Sequence, residues 1–421
     1  MNRLLGVFLA LLVTACRSSG PLQPGPIAAD RAARPIVILV SIDGWRYDYF
    51  GRFNPPTLTA LAKDGVRAEG LIPQFPSKTF PNHYTLVTGL RIPHHGIVSN
   101  NMVAPDLPGK FTMSAREVTK DPRWWGGEPM WNTVERQGGI AAAMFWPGSE
   151  TVIGGHQATF WKPFDDTMPD HERVAQVLDW LRLPEEKRPS FLTLYFSDVD
   201  HAGHDVGPES TTSKELPEAI AKVDTALGEL VKGVAAIGLN GRVNYVVVSD
   251  HGMSQLSKQR LIMLDDFIDP STTQILDSGP VLAISPKDGD TEKLYAALKG
   301  RSPHMAVYRN AEIPAIYGLA GHPRVPAIMA IADDGWYITS KLEVERWKPS
   351  GMLGEGGAHG YDPRLKSMHG LFIASGPKVR NDGAVVKPFE NIQVYDFLCV
   401  LLGLRPAAND GDPSLTKGFL R

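Results

Sequence analysis

The chain has 421 residues, 43% of them hydrophobic and 21% charged, and a formal net charge of −3. This is a globular balance, long enough for a large core in one main domain with a subsidiary part. The near-neutral charge excludes the basic surface that a nucleic-acid polymer requires, and abundant glycine and proline (41 and 34 residues) indicate many loops on a rigid scaffold.

Residues 1–16 read as a targeting segment. Arg3 supplies a short positive region, and Leu4 to Val13 is an apolar run too short to span a bilayer. The run ends in Val13-Thr14-Ala15-Cys16, which resembles a bacterial lipobox and makes Cys16 the expected lipidation site. Arg17, not aspartate, follows it; by the same resemblance this favours a lipid anchor in the outer membrane, with the protein facing the periplasm. Cys399, the other cysteine, lies in an apolar helical stretch, so no intrachain disulfide is expected. Residues 17–34 are rich in Ser, Gly, Pro and Ala without apolar periodicity, and read as a flexible tether.

The main domain runs over residues 35–421. Pro35 to Val40 is a continuous β-branched run, as in a strand buried on both faces, and Asp43 falls at its carboxyl end. Leu58 to Ala62 begins a short helix. Thr79 stands in the loop Pro76-Ser77-Lys78-Thr79-Phe80-Pro81, just before a helix that Gly89 closes, where backbone dipoles favour an anion. Ile140 to Trp146 is a strand, and His171 to Leu183 is an amphipathic helix. Ser190 to Phe196 is a strand that delivers Asp200. Ile220, Val223, Leu227, Leu230 and Val234 recur at helical spacing, and Val243 to Val248 is a strand that delivers Asp250 and His251. Alternation of this kind predicts an α/β fold, with a mostly parallel central sheet and helices on both faces. Between about 254 and 357 the pattern changes. Strands at Val281 and Ile328 with a helix at Thr291 to Leu298 suggest a smaller α+β insertion. Leu371 to Ala374 then returns to the main sheet, and Asn391 to Leu402 is a closing helix.

Seven residues stand out within this frame. Asp43, Asp200, His204, Asp250, His251 and His359 each follow an apolar run or sit in a glycine-rich turn. With the Thr79 hydroxyl they form the parts list of a two-metal phosphoryl-transfer site. Taken singly, each is an ordinary turn, cap or surface residue; only the set points to a site. Asp200 and His204 are spaced so that both side chains reach one ion. Among the remaining histidines, His83, His94, His95, His156, His171, His304 and His322 are not expected to be direct ligands. His201, beside Asp200, would point away from it on a strand, and His369 fills a turn.

At these residues the chain resembles the nucleotide pyrophosphatase/phosphodiesterase family of the alkaline phosphatase superfamily. The motifs are Ser-Ile-Asp-Gly-Trp-Arg at 41–46, Lys-Thr-Phe-Pro-Asn-His-Tyr at 78–84 and Gly-Ile-Val-Ser-Asn-Asn at 96–101. They continue as Asp-His-Ala-Gly-His at 200–204, Ser-Asp-His-Gly-Met at 249–253 and His-Gly-Tyr-Asp at 359–362. The resemblance implies two zinc ions, with manganese not excluded by ligand type. Asp200, His204 and His359 would hold one, and Asp43, Asp250, His251 and Thr79 the other. It further implies a threonyl-phosphate ester on Thr79, with Asn100 and the Phe80 backbone N–H jointly donating to a non-bridging phosphoryl oxygen.

The resemblance also bears on substrate. Monoesterase relatives carry an arginine directly after the nucleophile, where this chain has Phe80. Phe80 and Phe164 would sandwich a nucleobase, with Tyr195 a further pocket residue; Phe164 stands where the family pattern has tyrosine. The implied activity is a zinc-dependent type I phosphodiesterase and nucleotide pyrophosphatase that acts on small-molecule nucleotides and releases nucleoside 5′-monophosphates. A phospholipid, glycerophosphodiester or phosphonate hydrolase is the alternative within the superfamily, and a metal-binding lipoprotein without turnover is the alternative outside enzymes.

Overall fold

The computed structural model describes residues 34–347 and 356–421; the leader, Cys16 and the tether to residue 33 lie outside the described residues. Among the described residues, twelve strands build the two larger sheets. In chain order they are β1 (Ile36–Ile42), β2 (Gly65–Ala68), β3 (Ala141–Met144), β4 (Phe160–Lys162), β5 (Phe191–Phe196) and β6 (Val243–Val248). They continue with β7 (Thr273–Asp277), β8 (Val281–Pro286), β9 (Met305–Arg309), β10 (Ile328–Ala332), β11 (Phe372–Ser375) and β12 (Ala384–Val386).

The main sheet has the order β12-β2-β11-β6-β1-β5-β3-β4. From β6 to β4 every pairing is parallel, whereas β11 runs antiparallel to both of its neighbours. The apolar run of β1 explains its central place. Val37 and Leu39 face one core, while Ile36, Ile38, Val40 and Ile42 face the other. Helices cover both faces. Helix α1 (Thr79–Thr88) and α5 (Gln393–Leu402) pack on the first core through Leu86, Val87, Phe397 and Leu398. Helix α2 (Asp170–Leu181) and α4 (Glu215–Ala236) pack on the second through Val177, Leu181, Val223 and Leu227. Fully burying one such side chain contributes about 1.5–3 kcal/mol, so two-faced burial holds these layers together. The protein is thus an α/β fold on a large, mostly parallel sheet.

Strands β7 to β10 form a separate antiparallel sheet in the order β7-β8-β10-β9, with its own core around Leu282, Ile284, Leu294 and Ile328. It lies within the stretch expected to differ.

One segment departs from expectation. Asp200 does not lie on an extended segment after β5 but in helix α3 (Asp198–Val206), whose first turn carries Asp198 and Asp200. Carboxylates there complement the helix dipole, which favours the helix despite Gly203. The order β6-β1-β5 then sets the site: Asp250, Asp43 and Asp200 follow the carboxyl ends of three adjacent parallel strands.

Candidate active site

Thr79 is the first residue of α1, after Lys78 in extended backbone. Asn82, one turn on, lashes the preceding loop in place. Its Nδ2 donates to the Pro76 carbonyl at 3.0 Å and to the Lys78 carbonyl at 2.9 Å, while its Oδ1 accepts from the Gln74 N–H at 2.7 Å. Pro81 is tolerated because it falls in the first turn, where an N–H has no helical partner. At the other end Gly89 closes the helix with φ of 65°. The nucleophile candidate therefore sits on a rigid element at a helix N-terminus.

Three imidazoles surround it, and all are oriented the same way. The Nδ1–H of His204 donates to the Gly357 carbonyl, that of His251 to the Gly252 carbonyl and that of His359 to the Ser77 carbonyl, each at 2.9 Å. A carbonyl only accepts, so each neutral ring keeps its Nε2 lone pair for the site. The Nε2 of His251 lies 3.0 Å from Asp250 Oδ2, 3.5 Å from Asp43 Oδ1 and 3.3 Å from Thr79 Oγ1. The Nε2 of His204 lies 3.4 Å from Asp200 Oδ2, and that of His359 lies 3.8 Å from Asp200 Oδ1. His251 and His359 stack with ring centroids 3.5 Å apart.

Two close approaches make this convergence possible. A Cβ on Gly44, at φ +65°, would lie 2.7 Å from Asp200 Oδ1, so only glycine lets the Asp43 loop run over Asp200. A Cβ on Gly356 would lie 1.8 Å from the His204 carbonyl oxygen, so glycine also lets the loop leading to His359 run along α3.

The polar bookkeeping fits divalent cations. Asp43 Oδ1, Asp200 Oδ1 and Asp250 Oδ2 are buried with no hydrogen-bond partner among the described residues. Each is costly to bury unless something positive meets it. The His251 lone pair facing Asp250 and Asp43 compounds the problem. Burial pushes the Asp43 carboxyl well above the usual range, and the charges of Asp250 and Asp200 push it further. Burial likewise drives the His359 ring well below its ordinary pKa, helped by His251 and His204. Burial opposes charging His251, but Asp250 outweighs it and raises that pKa. Cations among these atoms answer every one of these conflicts, and mixed nitrogen and oxygen donors suit zinc. By proximity alone the donors gather as Asp200, His251 and His359, and as Asp43, His83 and Asp250, with ligand atoms in each group within 4.8 Å of one another. His83 differs from the three oriented rings. Its Nδ1–H donates to the Thr79 carbonyl at 2.9 Å and faces Asp250 at 3.2 Å, while its Nε2 meets Ser41 Oγ at 2.8 Å. With both ring nitrogens engaged in this way, His83 has no lone pair turned toward the site and stands beside Asp250 as a neighbour. His369 lies against Gly70, and His201 faces Asp166 at 3.7 Å.

Two clefts meet at the site and share Met113. The first, of about 250 Å³, takes in Asp43, Thr79, Phe80, Phe164 and Tyr195. Phe80 rests edge-on against Phe111 at 5.9 Å, and Phe164 edge-on against Phe145 at 5.3 Å. Neither ring is spent wholly on the core, and Trp125 and Trp146 add aromatic walls that sequence reasoning did not single out. The second cleft, of about 330 Å³, takes in Lys78, Asn100, His204 and His359.

One expected role changes, and one residue gains a partner. The Phe80 N–H donates to Asn100 Oδ1 at 2.9 Å, so it is not open to a phosphoryl oxygen as expected; it fixes Asn100 with Nδ2 as the remaining donor. Tyr195 lines the first cleft as a pocket residue, and its hydroxyl also donates to Asp43 Oδ2 at 2.6 Å. Sequence reasoning missed this pair, the His83 to Asp250 contact, and Ser249, whose Oγ accepts from the Trp45 N–H and donates to the His251 carbonyl. Ser249 and His83 do lie inside the quoted motifs, which was the available signal.

The geometry agrees with the comparisons to known proteins. A family model described as type I phosphodiesterase / nucleotide pyrophosphatase matches residues 37–362. Venom phosphodiesterase CdcPDE of Crotalus durissus collilineatus is 36% identical over 94% of this chain and 47% of its own length. The bis(5′-adenosyl)-triphosphatase of Mus musculus is 37% identical over 92% of this chain and 82% of its own. The chain spans about half the length of the venom relatives it matches. Murine ectonucleotide pyrophosphatase/phosphodiesterase 5 superposes with a TM-score of 0.85 at 35% identity, covering 92% of this chain and 100% of the other. An inactive threonine-to-alanine variant of that protein in complex with AMP superposes with the same score. With its motifs, fold and matched length in agreement, the chain belongs to the type I phosphodiesterase / nucleotide pyrophosphatase family.

Proposed function

We propose that this protein is a two-zinc type I phosphodiesterase and nucleotide pyrophosphatase that releases nucleoside 5′-monophosphates through a phosphate ester on Thr79. The observation that carries the reading is the meeting of three orphaned carboxylate oxygens and three inward Nε2 atoms around one hydroxyl at a helix N-terminus. Asp200, His204 and His359 would hold one ion, and Asp43, Asp250, His251 and Thr79 Oγ1 the other. When bound, such ions supply Lewis-acid charge that makes an alkoxide accessible near neutral pH and offsets charge on the phosphoryl oxygens.

The chain's own residues do the rest. Thr79 Oγ bonds phosphorus as the bond to the leaving oxygen breaks. Water then bonds phosphorus as the Thr79 ester breaks, and the hydroxyl regains its proton, so one water is consumed per bond cleaved. Asn100 Nδ2, held by the Phe80 N–H, donates to a non-bridging oxygen. Phe80 and Phe164 offer faces to a nucleobase in the first cleft. The AMP complex of the murine relative supports a nucleotide as ligand.

We read residues 35–421 as one catalytic domain with its smaller subdomain at about 254–357. Among the described residues no helix is long and apolar enough to cross a membrane. From the motif at residues 13–16 alone, Cys16 is the proposed lipid anchor to the outer membrane.

A chromogenic nucleotide diester tests the activity. Turnover lost on chelation and restored by zinc is expected. Faster turnover of a choline phosphodiester, a phosphonate or a monoester would move the assignment within the superfamily. Tight zinc binding with no turnover of any of these would leave a metal-binding protein.

A further inference from the structure

The second cleft opens onto His204 and His359, the histidines of the donor set opposite Thr79 in the proposed reaction. Its wall holds a charge pair that the reaction does not use. Lys78 directly precedes the nucleophile, and its Nζ pairs with Asp277 at the end of β7. Both side chains are about nine-tenths buried, at 9% and 10% exposure. Asp277 is fixed from two further sides: Ser99 Oγ donates to its Oδ2 at 2.7 Å, and the Ser278 N–H donates to its Oδ1 at 3.1 Å. The Lys78 stem is walled by Gly360, where a Cβ would lie 3.1 Å from Cε. The lysine is buried and its charge is compensated.

Among the described residues that line this cleft, Lys78 is the one lysine or arginine and Asp277 the one carboxylate. A cation beside Thr79 would attract a polyphosphate leaving group. Clamped to Asp277, it presents a dipole whose attraction for a distant anion falls off much faster than that of a free charge. Among the other described residues that line the cleft, Asn101, Ser278, Leu256 and Pro280 are neutral.

We propose that the second cleft receives the leaving group and is built for one without net charge. The preferred substrates are then diesters in which a second nucleoside leaves as an alcohol; nucleoside triphosphates, which expel pyrophosphate, are disfavoured. This rests on the proposed function and names its substrate class. The subdomain sheet, through Asp277, sets the preference.

The test compares an adenylyl-(3′→5′)-adenosine dinucleotide with ATP on the zinc-loaded protein. Both leave AMP in the first cleft, so only the leaving group differs. Asp277→Asn frees the Lys78 charge and should raise kcat/KM for ATP relative to the dinucleotide about tenfold or more. Lys78→Gln leaves Asp277 uncompensated and should lower the same ratio by a similar factor. The double variant cancels both charges and should return the ratio to within about threefold of wild type. A ratio unmoved by either single variant, with both substrates still turned over, overturns the proposal. Should Asp277→Asn fail to fold, Lys78→Gln and the double variant decide alone. Affinity for inorganic pyrophosphate should rise about tenfold in Asp277→Asn. If neither nucleotide is hydrolysed but this binding shift appears, the proposed reaction fails and the reading of the cleft stands; if the shift is absent too, both fail.

Discussion

Tyr195 donates its hydroxyl hydrogen to Asp43 Oδ2 at 2.6 Å, across the two adjacent parallel strands β1 and β5. This leaves Asp43 Oδ1 as the free oxygen and aims it at the site. Burial and the Asp43 charge push the tyrosine pKa well up, so it stays a donor at any working pH. Tyr195→Phe keeps the ring and removes only this bond. Zinc affinity should fall about ten- to a hundredfold, as for other outer partners of metal ligands. Competition against a zinc-binding dye measures it. Unchanged zinc affinity with weaker nucleotide binding would make Tyr195 a pocket residue only.

His359→Ala should bind one equivalent of zinc fewer than wild type. It removes an Nε2 that the Ser77 carbonyl orients toward Asp200. Elemental analysis of the purified variant reads this directly. Two full equivalents would exclude His359 as a ligand.

Phe164→Ala should lower kcat/KM for nucleotide substrates about ten- to a hundredfold, since stacking a base on an aromatic ring is worth roughly 1–3 kcal/mol. Methyl p-nitrophenyl phosphate, with nitrophenolate leaving, places only a methyl group in the first cleft and should barely respond. Equal losses on both substrates would mean that Phe164 serves packing against Phe145 and Tyr195.

Stability should fall between pH 6.5 and 5, in part through His95. The Ile97 N–H donates to its Nδ1 at 3.1 Å, so Nε2–H donates to Thr85 Oγ1 at 3.0 Å and the ring is held neutral. Burial pushes its pKa down to about 3 from an ordinary 6.5, and His322 and His94 add to the shift. The folded pKa is the lower one, so this contribution is complete above pH 6.5 and is lost as pH falls toward 3. Over the first 1.5 units of that fall the loss is about 2 kcal/mol. His95→Gln should flatten the pH dependence of the urea midpoint by that amount, because all other titrating groups are common to both proteins. Parallel curves would show that His95 is not the group responsible.

Much of this was legible in the chain because local pattern and global role coincide. The run at 36–42 is apolar on both faces because the strand is central, so its place and the exit of Asp43 could both be read. The same holds for Val243–Val248 and Asp250. Helix α3 was not legible: after the apolar run ends at Phe196, Asp, His and Gly in sequence read as extended backbone, and only the structure shows the helix that brings Asp200 and His204 together at i, i+4. Pairs distant in sequence leave no local trace. Lys78 precedes α1 and Asp277 ends β7, and nothing in either neighbourhood announces the other. The Phe80 N–H was assigned to substrate because its partner, Asn100, is twenty residues away.

In the proposed reaction Thr79, not water, attacks phosphorus first. Each in-line displacement inverts phosphorus, so two in succession restore the original configuration. Hydrolysis in ¹⁸O-labelled water of a nucleotide diester made chiral by a single phosphorothioate sulfur should give the 5′-thiophosphate with net retention. Net inversion would show a single direct attack by water, and the covalent role of Thr79 would be wrong.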